Sequence, residues 1–323
     1  MRCPTLAELP PPPSGRIGWP WTEEVPQAPI LPEGGGTWPK VSIVTPSFNQ
    51  GEFIEQTIRS VLLQGFPNLE YIIIDGGSSD SCVAIIRKYE RWLGFWVSEP
   101  DQGVANAVKK GFAKATGDMF GIMCADDFYM PGGILKLVQL RLSQPNSVAW
   151  AGSCPEVDLA GKVVNPGRAL IRKLEEIGDW GVGAWFGCIA CLFDASSYER
   201  VGGFDDRFKT ANDVELWVKL SKLGSFSLTK SIVATARFNP SSLSHRDPAE
   251  EVSALISLNY IHGFPANAKS ILLRYVAKEA GLEAKRLAPS DSLNMLPYRA
   301  FFKAFAGRTA SALRRRVGRM IRG

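Results

Sequence analysis

Histidine is almost missing from this 323-residue chain, which holds only His245 and His262. A hydrolase built on a serine activated by an imidazole is therefore disfavoured. Long apolar runs are missing too: no window approaches the roughly 18–20 consecutive apolar residues of a spanning helix, which excludes a polytopic membrane protein. The opening MRCPTLAELPPPP lacks the apolar stretch of a signal peptide, so the cytoplasm is the expected compartment. No G-x-G-x-x-G follows the first apolar run, and no glycine loop ends in Lys-Ser or Lys-Thr. Dinucleotide binding by the usual fingerprint and P-loop chemistry are both disfavoured. The six cysteines are scattered, and reduced thiols are expected. Cys188 and Cys191 form a C-x-x-C, but the surrounding CIACLF reads as a strand, where residues three apart face opposite sides. Their thiols are expected to diverge, and no second pair stands at zinc-ligand spacing.

Acidic residues are absent from the last stretch of the chain. From Tyr298 onward there are eight basic residues and no Asp or Glu, so subtracting them from the net charge of +5 leaves the rest at −3. A mildly acidic body argues against nucleic-acid binding. The tail, FFKAFAGRTASALRRRVGRMIR, places apolar residues at 302, 305, 313, 317 and 320 beside dense arginine. It is expected to form a basic amphipathic helix suited to an anionic membrane surface, on the inner face of the plasma membrane.

What is present is an ordinary globular composition, 45% apolar and 21% charged, which excludes wholesale disorder. Residues 1–40 are Pro- and Gly-rich with Trp19 and Trp21 embedded, and read as an extended arm pinned to the body. From Val41 short apolar runs (41–45, 70–75, 95–98, 119–124) alternate with helical periodicity (52–64, 81–92, 104–115, 132–142). That alternation predicts βαβ units, a Rossmann-like, mainly parallel sheet with helices on both faces. Beyond Ser147 the pattern is mixed: strands near 147–151, 188–193 and 226–236, and helices at 214–223, 249–262 and 267–281.

Ligands of open parallel sheets bind beyond the carboxyl ends of the strands. There the chain places Thr45-Pro46-Ser47-Phe48-Asn49, then Asp75-Gly76-Gly77-Ser78-Ser79-Asp80, then Asp101, then Cys124-Ala125-Asp126-Asp127. Any one of these reads equally well as a helix cap or a turn. Together they form an acidic edge that repels itself unless a cation neutralises it, and oxygen-only ligands suit Mg²⁺ or Mn²⁺. A nucleoside diphosphate with its metal would satisfy all of these groups.

These runs, VSIVTPSFNQGEFIEQTIRSVLLQGFPNLEYIIIDGGSSD, SEPDQGVANAVKKGFAKATGD, MCADDFYMPGG and VGGFDDRFKTANDVELWVKLSKLG, resemble in order the bacterial, inverting family 2 glycosyltransferases of GT-A fold. The resemblance spans roughly 41 to 239. It implies that Thr45, Pro46 and Asn49 line the nucleoside site, that Asp75 contacts base or ribose, and that Asp101 lies near the donor. It also implies Asp126 on the sugar or ribose, Asp127 on the metal and Asp213 as general base. Two departures stand out: Cys124-Ala125 precedes the aspartates, and Lys109 replaces the family's usual Asn.

Asp213 also stands on a local argument. Asn212-x-x-Glu215 reads as a capping arrangement ahead of Leu216, Leu220 and Leu223, so the cap does not need Asp213, which can point elsewhere from the first helical turn. Trp180, Trp185 and Phe186 are acceptor-site candidates because aromatic faces stack on sugars.

The expected organisation is an arm (1–40), a glycosyltransferase domain (41–245, with a nucleotide-sugar half to 150 and a mixed acceptor half beyond) and a helical extension (246–323). The expected function is metal-dependent transfer from a nucleotide sugar, taken as a UDP-sugar, to a glycan or lipid-linked acceptor in surface polysaccharide or glycolipid synthesis. The alternatives are a nucleotide-sugar-binding assembly protein on the same fold and a sugar-phosphate nucleotidyltransferase. The latter lacks its basic triphosphate loop, since TPSFNQGE has no Lys or Arg.

Overall fold

The computed structural model describes residues 3–32, 35–167, 169–171, 184–205, 207–208, 210–238, 248–264, 266–268 and 271. The basic tail, most of the 267–281 segment, His245, Trp180 and the side chain of Trp185 lie outside the described residues. The chain divides into two compact units. The first comprises Met1–Leu170, Phe186–Phe204 and Leu220–Asn239; the second comprises Ile171–Trp185, Asp205–Lys219 and Pro240–Gly323.

In the first unit four parallel strands are built from the apolar runs: β1 (Val41–Ser47), β2 (Leu69–Asp75), β3 (Phe95–Ser98) and β4 (Met119–Ile122). Between them run α1 (Ile54–Leu62), α2 (Cys82–Tyr89) and α3 (Val104–Phe112), and α4 (Gly133–Ser143) follows. Every residue of β1 is buried, as a strand covered on both faces requires. Gly111 lets α3 lie directly on β1, because a Cβ there would collide with a Val44 methyl.

The remaining strands are β5 (Phe128–Tyr129), β6 (Ala149–Ser153), β7 (Glu156–Val157), β8 (Val163–Asn165), β9 (Leu170–Ile171), β10 (Ala184–Trp185), β11 (Cys191–Asp194), β12 (Phe226–Ile232) and β13 (Ala234–Arg237). A seven-stranded sheet runs β12-β6-β11-β4-β1-β2-β3, with β11 antiparallel to both its neighbours. A second sheet, β5-β13-β7-β8, hangs from the end of the main one. The segment expected as one strand over 226–236 is thus two, serving different sheets. The expected strand at 188–193 begins later, after a single 3-10 turn at Cys188–Ala190. The short helix α5 (Ala195–Arg200) follows β11 and is capped by Asp194, which accepts the Ser197 N–H at 2.8 Å.

The N-terminal arm is fastened to this unit by one buried cation. Arg59, fully buried in α1, donates to the carbonyls of Pro10, Pro20 and Trp21 at 2.8–3.0 Å and to the Tyr89 hydroxyl at 3.2 Å. Tyr89 in turn donates to Glu55 at 2.9 Å. Trp19 Nε1 reaches the carbonyl of Tyr129 at 2.8 Å, and Trp21 is itself buried.

At the opposite end of the strands, Glu70 accepts from Lys40 Nζ (2.7 Å), Ser42 Oγ (2.6 Å) and both the N–H and hydroxyl of Thr116 (2.7 Å each). Burial opposes its ionisation, but these donors outweigh burial and bring its pKa from near 4.5 down to about 2. A carboxylate depressed by folding stabilises the native state above its unfolded pKa, and that contribution fades as pH falls from near 4.5 toward about 2. Glu70→Gln is expected to lower the melting temperature at pH 7 and to leave a smaller gap from wild type at pH 3. A melting-temperature series across pH checks it, and a gap that is constant with pH would contradict it.

In the second unit, which holds α6 (Asn212–Ser221) up to Lys219, that helix and α7 (Pro248–Ile261) are tied by a carboxylate with 2% exposure. Glu215 meets His262 Nε2 and Lys219 Nζ, each at 3.1 Å. The expected capping arrangement is therefore corrected. Glu215 turns toward α7, and Ala211, at φ +54°, is the residue whose carbonyl takes the first helical hydrogen bond, from Glu215 N–H.

Candidate active site

The carboxyl ends of β4, β1, β2 and β3 lie side by side, so the four loops picked out in the sequence share one edge of the first unit. Thr45 is fully buried, with its hydroxyl 3.0 Å from the Tyr71 hydroxyl. Its side chain is committed within the sheet, so only its backbone is left to face a ligand. Pro46 is buried in the next position of β1, paired with Ile74. Asn49 adopts φ +52°, a left-handed geometry that Asn tolerates better than most residues. Its N–H donates to Ser78 Oγ (2.8 Å) and its side-chain oxygen accepts from Ser79 N–H (2.9 Å), stitching the β1 loop to the β2 loop.

Asp75 is wholly buried, accepting from Ser78 N–H (2.9 Å), Ser78 Oγ (2.6 Å) and Ser98 Oγ (2.6 Å). Asp101 lies against Gly76, where a Cβ would meet its Oδ2 at 2.9 Å, and it accepts the Gly103 N–H at 2.7 Å. Asp80 serves the local role of a cap, accepting from Cys82 N–H at 2.9 Å and from Gly51 N–H at 2.7 Å. These donors hold its pKa below the ordinary carboxylate value despite the opposing effect of burial.

The acidic turn after β4 is held by its main chain. Thr57 Oγ1 on α1 reaches the carbonyls of Ala125 (2.9 Å) and Asp127 (2.6 Å). Asp126 is half-buried, while Asp127 is 9% exposed and accepts the Arg237 N–H at 2.7 Å. Burial first, and the neighbouring charge of Asp126 second, push the Asp127 carboxyl well above the usual carboxylate range. Two adjacent carboxyls that cannot both ionise cheaply fit a hard divalent cation, which would relieve the repulsion. Among the described residues, no group of three or more His, Cys, Asp or Glu is arranged to hold a metal by itself.

The protein supplies part of the neutralisation, which the sequence argument did not foresee. The Arg237 guanidinium reaches the Asp126 carbonyl at 2.6 Å and Gln56 Oε1 at 2.7 Å. Behind the turn the cysteines are free thiols. A hydrogen bond to the Cys188 thiol, then burial, pushes the Cys124 thiol up. Cys188 stands in the 3-10 turn Cys188–Ala190, ahead of the strand that begins at Cys191, and not on that strand as expected. Lys109, the second departure, lines a shallow cavity of about 300 Å³ with Phe112, Phe120, Tyr198 and Glu199.

Phe186 is a correction: at 1% exposure, with its ring 5.9 Å from Phe226, it belongs to the core and offers no face to a sugar. Phe48 was missed. It stands 60% exposed in the β1 loop, an aromatic side chain with no part in any helical or strand periodicity. That lack of a packing reason was the available signal.

Asp213 sits in the first turn of α6 in the second unit, its Oδ1 accepting the Val214 N–H at 2.9 Å. Glu251 of α7 lies within its electrostatic reach: burial first, and the Asp213 charge second, push the Glu251 carboxyl up.

A doubly covered α/β sheet with an acidic turn past its central parallel strands is the architecture of the GT-A glycosyltransferases, and solved structures agree. Similar folds are the S. aureus TarS 1–349 complex with UDP-GlcNAc (TM-score 0.58, 16% identity, 87% of this chain and 84% of that one) and a Pyrobaculum calidifontis mannosyltransferase complex with GDP-Man and Mn²⁺. The latter has a TM-score of 0.52 at 17% identity, covering 93% of this chain and 89% of that one. Residues 42–169 match the family described as glycosyl transferase family 2. An uncharacterized glycosyltransferase of Mycobacterium tuberculosis is 28% identical over 243 residues, 74% of this chain and 90% of that one. TuaG of Bacillus subtilis, provisionally named for teichuronic acid biosynthesis, is 27% identical over 192 residues, 58% of this chain and 73% of that one. Residues 42–169 thus match a family 2 glycosyltransferase domain, and the similar proteins are glycosyltransferases.

Proposed function

We propose that the protein transfers a sugar from a nucleotide-sugar donor to a hydroxyl of a glycan or lipid-linked acceptor, with inversion at the anomeric carbon and with Mn²⁺ or Mg²⁺. The carrying observation is the acidic turn, pinned through its main chain by Thr57, with Asp127 unable to ionise cheaply beside Asp126. A UDP-sugar is the favoured donor, and the TarS complex with UDP-GlcNAc supports that choice. The name of TuaG supports a surface-polymer acceptor.

Asp127, with Asp126 beside it, would hold the cation, which when bound supplies Lewis-acid stabilisation of the departing diphosphate. The chain's own groups do the rest. Phe48, exposed on the β1 loop, offers a face for the nucleobase, and the Asn49–Ser78–Ser79 bonds keep that loop in place. Asp75, already saturated by Ser78 and Ser98, fixes the floor of the nucleoside site, and Asp101 closes on it beside Gly76. Asp213 accepts the acceptor hydroxyl proton as the new bond forms, an effect of about 10²–10⁴-fold for a positioned base. No covalent enzyme intermediate is needed for a single inverting displacement.

The test is a turnover screen of UDP-, GDP- and dTDP-sugars, each with Mn²⁺, with Mg²⁺ and with chelator. Cation-dependent release of nucleoside diphosphate from one donor class is expected. Binding of a nucleotide sugar without turnover, across all acceptors and both metals, would instead make the protein a donor-binding assembly factor.

A further inference from the structure

We propose that Arg237 binds the diphosphate of the donor, so that the leaving group meets a guanidinium as well as the acidic turn; this rests on the donor reading above. Arg237 is the last residue of β13, which pairs antiparallel with β5 through Ala234–Tyr129 and Thr235–Phe128. Continuing that register brings Ala236 and Arg237 opposite Asp127 and Asp126. The hydrogen bonds confirm the placement: Arg237 N–H to Asp127 Oδ1 at 2.7 Å, and the guanidinium to the Asp126 carbonyl at 2.6 Å.

The guanidinium is built in, not trailing on the surface. Its carbon stands 4.9 Å from the ring centre of Phe53 and 5.3 Å from that of Phe128, and a further N–H holds Gln56 Oε1 at 2.7 Å. Two of its five N–H groups are spent on these acceptors, and among the described residues no acceptor takes the Nε–H or the remaining two. The charges that reach it are Asp127, Asp126 and Glu52, which favour it, and Arg16, which opposes it.

A fixed planar cation with unspent donors beside a carboxyl turn matches phosphate oxygens better than a carboxylate would, since the turn already has a main-chain donor at Asp127. In the transfer, the acceptor oxygen bonds to the anomeric carbon while the bond from that carbon to the β-phosphate oxygen breaks. The electron pair stays on the diphosphate and the acceptor proton goes to the base. Charge therefore grows on the phosphate oxygens in the transition state, where a preorganised donor has its largest effect. The sequence gives no warning of this role, because Arg237 lies 110 residues from Asp127 in an unremarkable ATARFNP run.

The experiment compares ligand affinities of the full chain, by ligand-observed NMR titration with Mn²⁺ replaced by Mg²⁺ to avoid paramagnetic broadening. The probes are UDP and GDP and their matched nucleosides, uridine and guanosine. Arg237→Met is expected to weaken the preferred diphosphate at least about tenfold while nucleoside affinity stays within about twofold, because one charge-assisted contact is lost. The backbone N–H to Asp127 survives the substitution, so the acidic turn keeps that bond. Arg237→Lys, which restores the charge but not the fork, is expected to recover part of the loss. Unchanged diphosphate affinity in Arg237→Met, or equal losses for diphosphate and nucleoside, overturns the assignment. If Arg237→Met does not fold, Arg237→Lys alone must show the selective diphosphate loss. Failure of the wild type to bind either diphosphate would overturn the donor reading itself, an outcome seen without any variant.

Discussion

Asp127→Ala is expected to remove cation-dependent transfer while the protein stays folded. Metal-assisted stabilisation of a phosphoryl leaving group supplies several kcal/mol, and at about 1.4 kcal/mol per tenfold its loss means roughly 10²–10³-fold in rate. The fold should survive because the turn is fixed by main-chain contacts: Thr57 holds the carbonyls of Ala125 and Asp127, whatever side chain stands at 127. Against this, the Arg237 N–H loses its acceptor, and an unsatisfied half-buried donor costs about 1–3 kcal/mol. Relief of the Asp126–Asp127 repulsion offsets some of that cost. The expected result is a modest drop in melting temperature, a collapsed rate and no response to added Mn²⁺. Initial rates against Mn²⁺ concentration, read beside a thermal melt, decide it. Wild-type rates with unchanged Mn²⁺ dependence would remove Asp127 from the metal role, and a collapsed melt would make it structural.

The elements that could be read from sequence are those whose residues carry their own packing signal. The apolar runs at 41, 70 and 119 form buried strands, so each had to be apolar regardless of what lies next to it, and the run at 95 forms the half-buried edge strand β3. The two-residue strands β5, β7, β9 and β10 carry no such signal, since pairing with a distant partner alone makes them strands. Arg59 shows a different limit. Its place on α1 reads as a solvent-facing position, and it is buried because the arm lays three carbonyls on it. Phe186 fails in the opposite sense, an aromatic taken for a binding face when Phe226 covers it. The acidic residues were legible because several Asp in successive loops of a parallel sheet have no packing reason to be there. The argument that only an external cation could neutralise them was incomplete. Arg237 reaches the turn by strand pairing, a contact that no local window contains.

Asp213→Asn is expected to cut turnover by about 10²–10⁴-fold, the usual range for a lost general base, with donor affinity within about twofold of wild type. The amide keeps the size and planarity of the carboxylate, and its oxygen can still accept the Val214 N–H that Asp213 Oδ1 holds at 2.9 Å. What it loses is the capacity to take a proton. A purely structural Asp213 predicts something else. An acidic side chain in the first turn of α6 gains about 0.3–1 kcal/mol from the helix dipole, so neutralising it would lower stability and leave the rate per folded molecule intact. Glu251 supplies a further discriminator. Part of its upward shift comes from the Asp213 charge, so Asp213→Asn should bring the Glu251 pKa down toward the ordinary carboxylate value, with burial still holding it above. Calorimetry of UDP and GDP binding, a transfer assay and a melt on the same preparation separate the cases. Retained donor affinity with lost turnover fits the base, whereas donor binding that collapses with turnover places Asp213 on the donor, and a lowered melt with an intact rate per folded molecule makes it a helix-end charge.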